Sequence, residues 1–257
     1  VSQLHCENIT VSFGGVVACN NISLEVAAGK IVGLIGPNGA GKTTLFNVLS
    51  RFQDHDSGHI YYRDQDIDRK KPHQMVDLGM ARTFQNINLF GEQSTLDNIL
   101  IGAHHLIGSP FADMFSMPAA RRTERVLLQR ANEIADMLHL QDELDTLVKN
   151  LPYGYRKRVE LARALASQPE LILLDEPVAG CNDEETDELK GIVQRLNREL
   201  GITIFLVEHD MSMVMKVCDY IYVINFGSNL ADGTPAQVQA NPDVINAYLG
   251  EEHHDAA

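Results

Sequence analysis

No apolar run in this chain approaches the roughly 20 residues needed to cross a bilayer, and stretches such as 172–174 and 202–207 fall far short of it. The beginning of the sequence also lacks the basic and apolar order of a secretory signal. A soluble protein is therefore expected. Cysteine is sparse: Cys6, Cys19, Cys181 and Cys218 are scattered without the paired spacing of a metal site, which suits free thiols in a reducing compartment. Low-complexity tracts are missing. A basic excess is missing too, and a formal net charge of −14 repels a polyanion, so nucleic acid is not an expected partner. A single nucleotide is not excluded, because a few oriented amides, one lysine and a Mg²⁺ ion dominate a small pocket.

What is present, 257 residues of which 44% are hydrophobic, suffices for one large α/β domain or a core carrying a smaller lobe. Residues 29–50 read GKIVGLIGPNGAGKTTLFNVLS. The apolar run 31–35 predicts a buried strand bounded by glycine. Gly36, Pro37, Asn38, Gly39, Ala40, Gly41, Lys42 and Thr43 then satisfy the GxxxxGK[ST] phosphate-loop pattern, and Thr44, Leu45, Phe46, Val48 and Leu49 continue with helical spacing. Strand, glycine loop and helix follow in the order the chemistry requires. The glycines let backbone wrap the phosphates, Lys42 can reach the β and γ phosphates, and the Thr43 hydroxyl can ligate Mg²⁺.

A second buried strand is expected in ELILLDEP, 170–177, ending in two adjacent carboxylates. Asp175 is placed to hold Mg²⁺ directly or through water, and Glu176 to polarise an attacking water. In ARTFQN, 81–86, the amide of Gln85 could complete the metal or water shell; taken alone it is an ordinary surface amide. His209 follows another apolar strand in TIFLVEHD, 203–210, where it suits either a solvated strand end or a hydrogen bond to a γ-phosphate. LPYGYRKRVELARAL, 151–165, opens as a turn and becomes a basic helix. A helix start of that kind presents unpaired N–H groups to an anion.

In their order and approximate spacing, the phosphate loop, Gln85, the turn 151–155, the Asp175–Glu176 pair and His209 resemble an ABC-type ATPase over nearly the whole chain. The resemblance implies a P-loop NTPase (RecA-like) α/β core with an antiparallel β subdomain and an ABC-type helical subdomain. It implies ATP and Mg²⁺ as cofactors, with Thr43, Gln85 and Asp175 as metal ligands, and Lys42, Gln85, Glu176 and His209 acting in hydrolysis. Phe13, with Val17 nearby, stands where the family places a ring against adenine. The turn of 151–155 stands where the family caps the nucleotide of a second ATPase subunit, so Gly154 and Tyr155 are expected at the partner's triphosphate. This chain departs from the common LSGGQ form: Pro152 replaces serine, Tyr153 the first glycine and Tyr155 glutamine. The departure removes a hydroxyl from the opposite phosphate site. In AGCN, 179–182, Asn182 stands where an aspartate is common.

Within the family, GMARTFQNINLFGEQSTLDNILIGAHH and the tail stretch GTPAQVQANPDVINAYLGE are most similar to the ATP-binding subunits of branched-chain amino-acid importers. That likeness implies a second, similar ATPase in a heterodimer, two membrane permeases and, indirectly, an extracytoplasmic binding protein. The chain would then sit peripherally at the cytoplasmic face of the membrane. The expected organisation is an ATP core at 1–90 with the antiparallel subdomain, a helical subdomain with the signature turn at 91–165, the returning core at 166–240 and a tail at 241–257. Leu127, Ala131, Ile134 and Leu138 follow helical spacing and should face the lobe's core. The turn-rich stretch 106–118 is the expected coupling surface. A lipid or lipopolysaccharide exporter, or a soluble ABC regulator, would share much of this pattern.

Overall fold

The computed structural model describes residues 1–106 and 117–249. Most of the expected coupling stretch 106–118, and the acidic tail 251–257, lie outside the described residues. In chain order the strands are β1 (Ser2–Phe13), β2 (Val16–Ala27), β3 (Ile31–Ile35), β4 (Ser57–Tyr62), β5 (Gln65–Asp66), β6 (Met80–Arg82), β7 (Leu171–Asp175), β8 (Thr203–Val207), β9 (Tyr220–Asn225) and β10 (Ser228–Gly233). The helices are α1 (Lys42–Leu49), α2 (Pro72–Asp77), α3 (Thr95–Gly102), α4 (Met117–Met137), α5 (Tyr153–Ala166), α6 (Asp183–Leu200), α7 (Met211–Val217), α8 (Pro235–Gln239) and α9 (Pro242–Leu249).

Two sheets result. One is antiparallel, in the order β2-β1-β4-β5; the other runs β10-β9-β3-β8-β7-β6 and is parallel except for the edge strand β10. The burial patterns explain the difference. In β2, Ile22, Leu24 and Val26 are buried while Ser23 and Glu25 between them are exposed, the alternation of a sheet with one wet face. In β3, β7 and β8 every residue is buried, as a parallel sheet covered on both sides requires.

Alternate residues of those strands enter different cores. Val32, Leu34, Leu171, Leu173, Phe205 and Val207 pack with Leu45, Phe46 and Leu49 of α1 and with the inner face of the antiparallel sheet. Ile31, Ile35, Ile172, Leu174, Ile204 and Leu206 pack with Leu161 and Leu165 of α5 and Leu189, Ile192 and Leu196 of α6. Each such aliphatic side chain contributes about 1.5–3 kcal/mol by leaving water, so the period of two holds both layers to one sheet. Ala131, Ile134 and Leu138 are buried in the second core and Leu127 packs against it, as the helical spacing predicts.

The helix ends are set locally. Asn182 caps α6 by accepting from the Glu185 amide, Glu185 reciprocates to the Asn182 amide, and Gly201 closes the helix in the left-handed conformation with φ 68°. This reciprocal cap satisfies otherwise orphaned N–H groups. The strand register then aligns the ends of β3, β7 and β8: Val207 stands opposite both Leu34 and Asp175. The segments that follow those strands therefore leave from one edge, where open α/β sheets bind ligands.

Candidate functional site

The loop 36–41 connects the end of β3 to α1, and its glycines are needed partly by their neighbours. A Cβ on Gly36 would overlap the carbonyl oxygen of Ile224 in β9, and one on Gly41 would overlap that of Ala18 in β2. Gly41 also has φ 100°, a left-handed geometry that only glycine adopts without strain. The loop is tied further by the Ala40 amide donating to Pro37 O at 3.2 Å and the Gly227 amide donating to Ala40 O at 3.0 Å. Lys42, the first residue of α1, is buried; its Nζ donates to Gly36 O at 2.6 Å and Pro37 O at 2.8 Å. The ammonium is thus held against the loop. Thr43 and Asn38 are exposed and Thr44 half-buried, so the start of α1 presents hydroxyls at the loop.

Asp175 closes β7 and is buried. Its Oδ2 accepts from Arg82 Nη2 at 2.8 Å. Burial pushes the Asp175 carboxyl above its ordinary value, and the Arg82 guanidinium partly reverses that push. Glu176 follows with φ 48°, a left-handed conformation that costs a non-glycine residue about 1–3 kcal/mol and collects at functional positions. Two bonds hold it there: the Glu176 amide donates to Val207 O at 2.9 Å, and Lys157 Nζ donates to Glu176 O at 3.2 Å. The side chain is met from two directions. Gln85 Nε2 donates to Glu176 Oε2 at 2.9 Å, and His209 Nδ1 lies 3.9 Å from Glu176 Oε1. Gln85, Glu176 and His209, read separately from the sequence, stand together in space.

Four groups outside that reading support the cluster. Arg82 engages Asp175. Lys157 of α5 also donates to Gln85 O at 3.4 Å, so one buried ammonium touches the backbone on both sides of the Gln85–Glu176 bond. Glu160, one helical turn on, accepts from the Phe84 amide at 3.1 Å. Glu208 is wholly buried and accepts from the amides of Val178, His209 and Asp210 at 3.0, 3.0 and 3.2 Å, tying the segment after Glu176 to the segment carrying His209. Burial raises the Glu160 and Glu208 carboxyls, and the amide bonds oppose it. No local sequence signal marks these four residues, whose partners on other elements lie far away in the chain.

The turn of 151–155 begins α5. Pro152 occupies the N-cap position without a side-chain cap bond. Gly154 is buried against Glu185: a Cβ there would overlap the carboxylate and lie 2.9 Å from Glu185 Cγ. The Tyr153 ring covers Gly180, and the Tyr155 ring lies 3.9 Å from the Arg158 guanidinium carbon. The turn and the Gly180–Asn182 segment are therefore one packed unit. At the tip of the β1–β2 hairpin, Phe13, Val16 and Val17 are exposed by 53%, 67% and 51%, leaving an aromatic ring and two aliphatic side chains open to a flat ligand.

The sequence and the fold are similar to those of known proteins. Residues 19–179 match the family described as ABC transporter, and residues 228–254 match the family described as branched-chain amino acid ATP-binding cassette transporter. The chain is 42% identical over 249 residues to the high-affinity branched-chain amino acid transport ATP-binding protein BraF of Pseudomonas aeruginosa, covering 96% of this chain and 98% of the relative. The same identity and coverage hold for the LivG protein of Escherichia coli, which bears the same description. Among solved structures, the ADP conformation of an ATP-binding cassette of an ABC transporter superposes with a TM-score of 0.85 at 33% identity, over 97% of this chain and 99% of that one.

Proposed function

The chain belongs to the ABC transporter family of ATP-binding cassettes, and from that premise we propose that it is the ATP-binding subunit of a branched-chain amino-acid importer. As a member of the family it binds and hydrolyses ATP. The observation that carries the site assignment is the convergence of Gln85 and His209 on Glu176 at the strand edge that also bears the phosphate loop. The tail match at 228–254 favours the branched-chain cargo.

In this reading the loop amides of 36–41 and Lys42 hold the triphosphate, with Thr44 beside them. Phe13 takes the adenine face. The oxygens of Thr43, Asp175 and Gln85 are hard donors that suit Mg²⁺, and the burial of Asp175 beside a guanidinium keeps one such oxygen oriented. Held there, Mg²⁺ would supply positive charge against the triphosphate. Glu176 orients and deprotonates the attacking water, its carboxylate steadied by Gln85, and His209 donates to the γ-phosphate. Most of the acceleration comes from positioning and fixed charge.

The signature turn, with Gly154 and Tyr155, caps the nucleotide of a second, similar ATPase subunit. ATP contacts both halves only when they are closed, so it favours that state by differential affinity. The helical lobe at 91–165, inserted between the core segments 1–90 and 166–240, meets the cytoplasmic side of two permeases, which a binding protein loads from the other face. Among the described residues no helix is long and apolar enough to cross a membrane.

Copurification from detergent-solubilised membranes, followed by ATPase assay in proteoliposomes, tests the whole reading. Two permeases and a second ATPase are expected in the complex, with turnover stimulated by a branched-chain amino acid and its binding protein. Glu176→Gln should keep ATP binding and lower turnover by about 10²–10⁴-fold, the range of a lost general base. Normal turnover in that variant removes Glu176 from the reaction, and a complex without permeases removes the transport role.

A further inference from the structure

Arg82 occupies an expensive position. Its side chain and that of Asp175 are only 6% and 4% exposed. The guanidinium carbon lies 5.0 Å from the Phe46 ring centroid, 5.4 Å from Phe52 and 5.0 Å from Phe84, while Phe52 and Phe84 meet edge to face at 5.2 Å. Nη2 donates to Asp175 Oδ2 at 2.8 Å, and Nη1 donates to Ser50 Oγ at 2.6 Å. Ser50 in turn donates to Phe46 O at 2.7 Å, at the C-terminal end of α1. Nε is buried and has no hydrogen-bond partner among the described residues. A buried ion pair with an orphaned N–H is a poor device for stability, since well-packed apolar residues often serve as well or better.

The fork does something that apolar packing cannot. Its two arms bridge the helix that starts with Lys42 and Thr43 and the strand that ends in Asp175, the elements supplying two of the proposed metal oxygens. The ion pair takes Oδ2 of Asp175, which leaves Oδ1 for the metal or its water. Thr83, the next residue, accepts from the Asp175 amide at 3.3 Å and donates its own amide to Leu173 O at 2.9 Å, so the backbone beside the guanidinium is locked to the same strand.

We propose that Arg82 is a positioning residue for Mg²⁺–nucleotide binding: clamped by Ser50 and the phenylalanine cage, it holds the Asp175 carboxylate in the orientation that receives the metal. The inference rests on the ATP-binding reading above. It acts through Asp175, so its signature is Mg²⁺ dependence, separate from affinity for the nucleotide itself. Groups that orient a ligating carboxylate typically contribute 10–100-fold in metal affinity.

The test is fluorescence titration of a mant-labelled ATP with the purified full-length chain, first in EDTA and then across a Mg²⁺ series. For Arg82→Met the Mg²⁺ concentration at half-effect should rise about 10–100-fold, while affinity in EDTA stays within about twofold of the parent. Arg82→Lys keeps the charge but cannot fork to both partners, so it should recover only part of the shift. Ser50→Ala removes the far anchor and should raise the half-effect concentration at least about threefold, a fraction of the worth of one charge-assisted hydrogen bond. Thermal melts accompany each variant; if Arg82→Met fails to fold, Ser50→Ala and Arg82→Lys decide. An unshifted Mg²⁺ curve in the folded variants overturns the inference, as does equal loss of affinity with and without Mg²⁺. A parent chain that binds the labelled ATP with no response to Mg²⁺ would instead overturn the site assignment.

Discussion

Gly154→Ala separates the fold from the function of the signature turn. The new methyl would overlap the Glu185 carboxylate and lie 2.9 Å from its Cγ, so Glu185 must change rotamer. That movement breaks its bond to the Asn182 amide, one arm of the reciprocal cap of α6, at a cost of about 1 kcal/mol. Alanine in place of glycine within a helix returns up to about 1 kcal/mol. The net change is within about 1 kcal/mol, or a shift in Tm of less than about 4 °C for a chain of this size. Function should respond more. The turn and the segment carrying Asn182 pack as one unit, and a displacement of about 1 Å at a reacting centre can cost about 100-fold. ATPase turnover of the assembled complex should fall about 10–100-fold, while ATP affinity of the isolated chain is unchanged, because Lys42, Thr43 and Phe13 stand on other elements. Differential scanning calorimetry, nucleotide binding and complex turnover read the three quantities. Full turnover with an unchanged Tm would mean that Gly154 does not seal the partner's triphosphate.

Two other substitutions probe the nucleotide cradle. Gly41→Ala places a Cβ at φ 100° against the Ala18 carbonyl, so urea denaturation should show a loss of about 1–3 kcal/mol and labelled ATP should bind at least about tenfold more weakly; undiminished affinity would contradict the packing argument. Phe13→Ala removes an exposed ring and should leave stability within about 0.5 kcal/mol. Its ATP affinity should fall about 3–10-fold, the worth of one stacked aromatic contact, and equal affinity would place the adenine elsewhere.

The parts of this protein legible in sequence are those whose physics is contiguous. A buried strand, a glycine loop and a helix start lie side by side in 31–49, and each is specified by its own residues. The same holds for the buried run ending at Asp175 and for the helical stripe through Ala131, Ile134 and Leu138. Gln85 and His209 were legible only through resemblance, since a lone amide and a lone imidazole carry no pattern; their meeting at Glu176 requires contacts across 91 and 33 positions of chain, as the bonded Gln85 partner and the Glu176–His209 pairing display. Arg82, Lys157, Glu160 and Glu208 carry no local signature, because the partners Asp175, Gln85, Phe84 and Val178 stand 93, 72, 76 and 30 positions away. Neither the left-handed backbone of Glu176 nor the burial of Gly154 against Glu185 has a local signature.

By itself the sequence determined the buried strands and the phosphate loop: the uninterrupted apolar runs of β3, β7 and β8 mark strands covered on both faces, and the glycine spacing permits a backbone cradle before Lys42. Only the tertiary structure decided which core each side chain of those strands enters and how the edge bearing Asp175 and Glu176 is held, through the Arg82–Asp175 ion pair and the Lys157 bridge between Gln85 and Glu176. The reason is one of range. Backbone preference and hydrophobic period act between neighbours in the chain, whereas hydrogen bonds and buried ion pairs act over about 3 Å in space, a distance set by the packing of elements far apart in sequence.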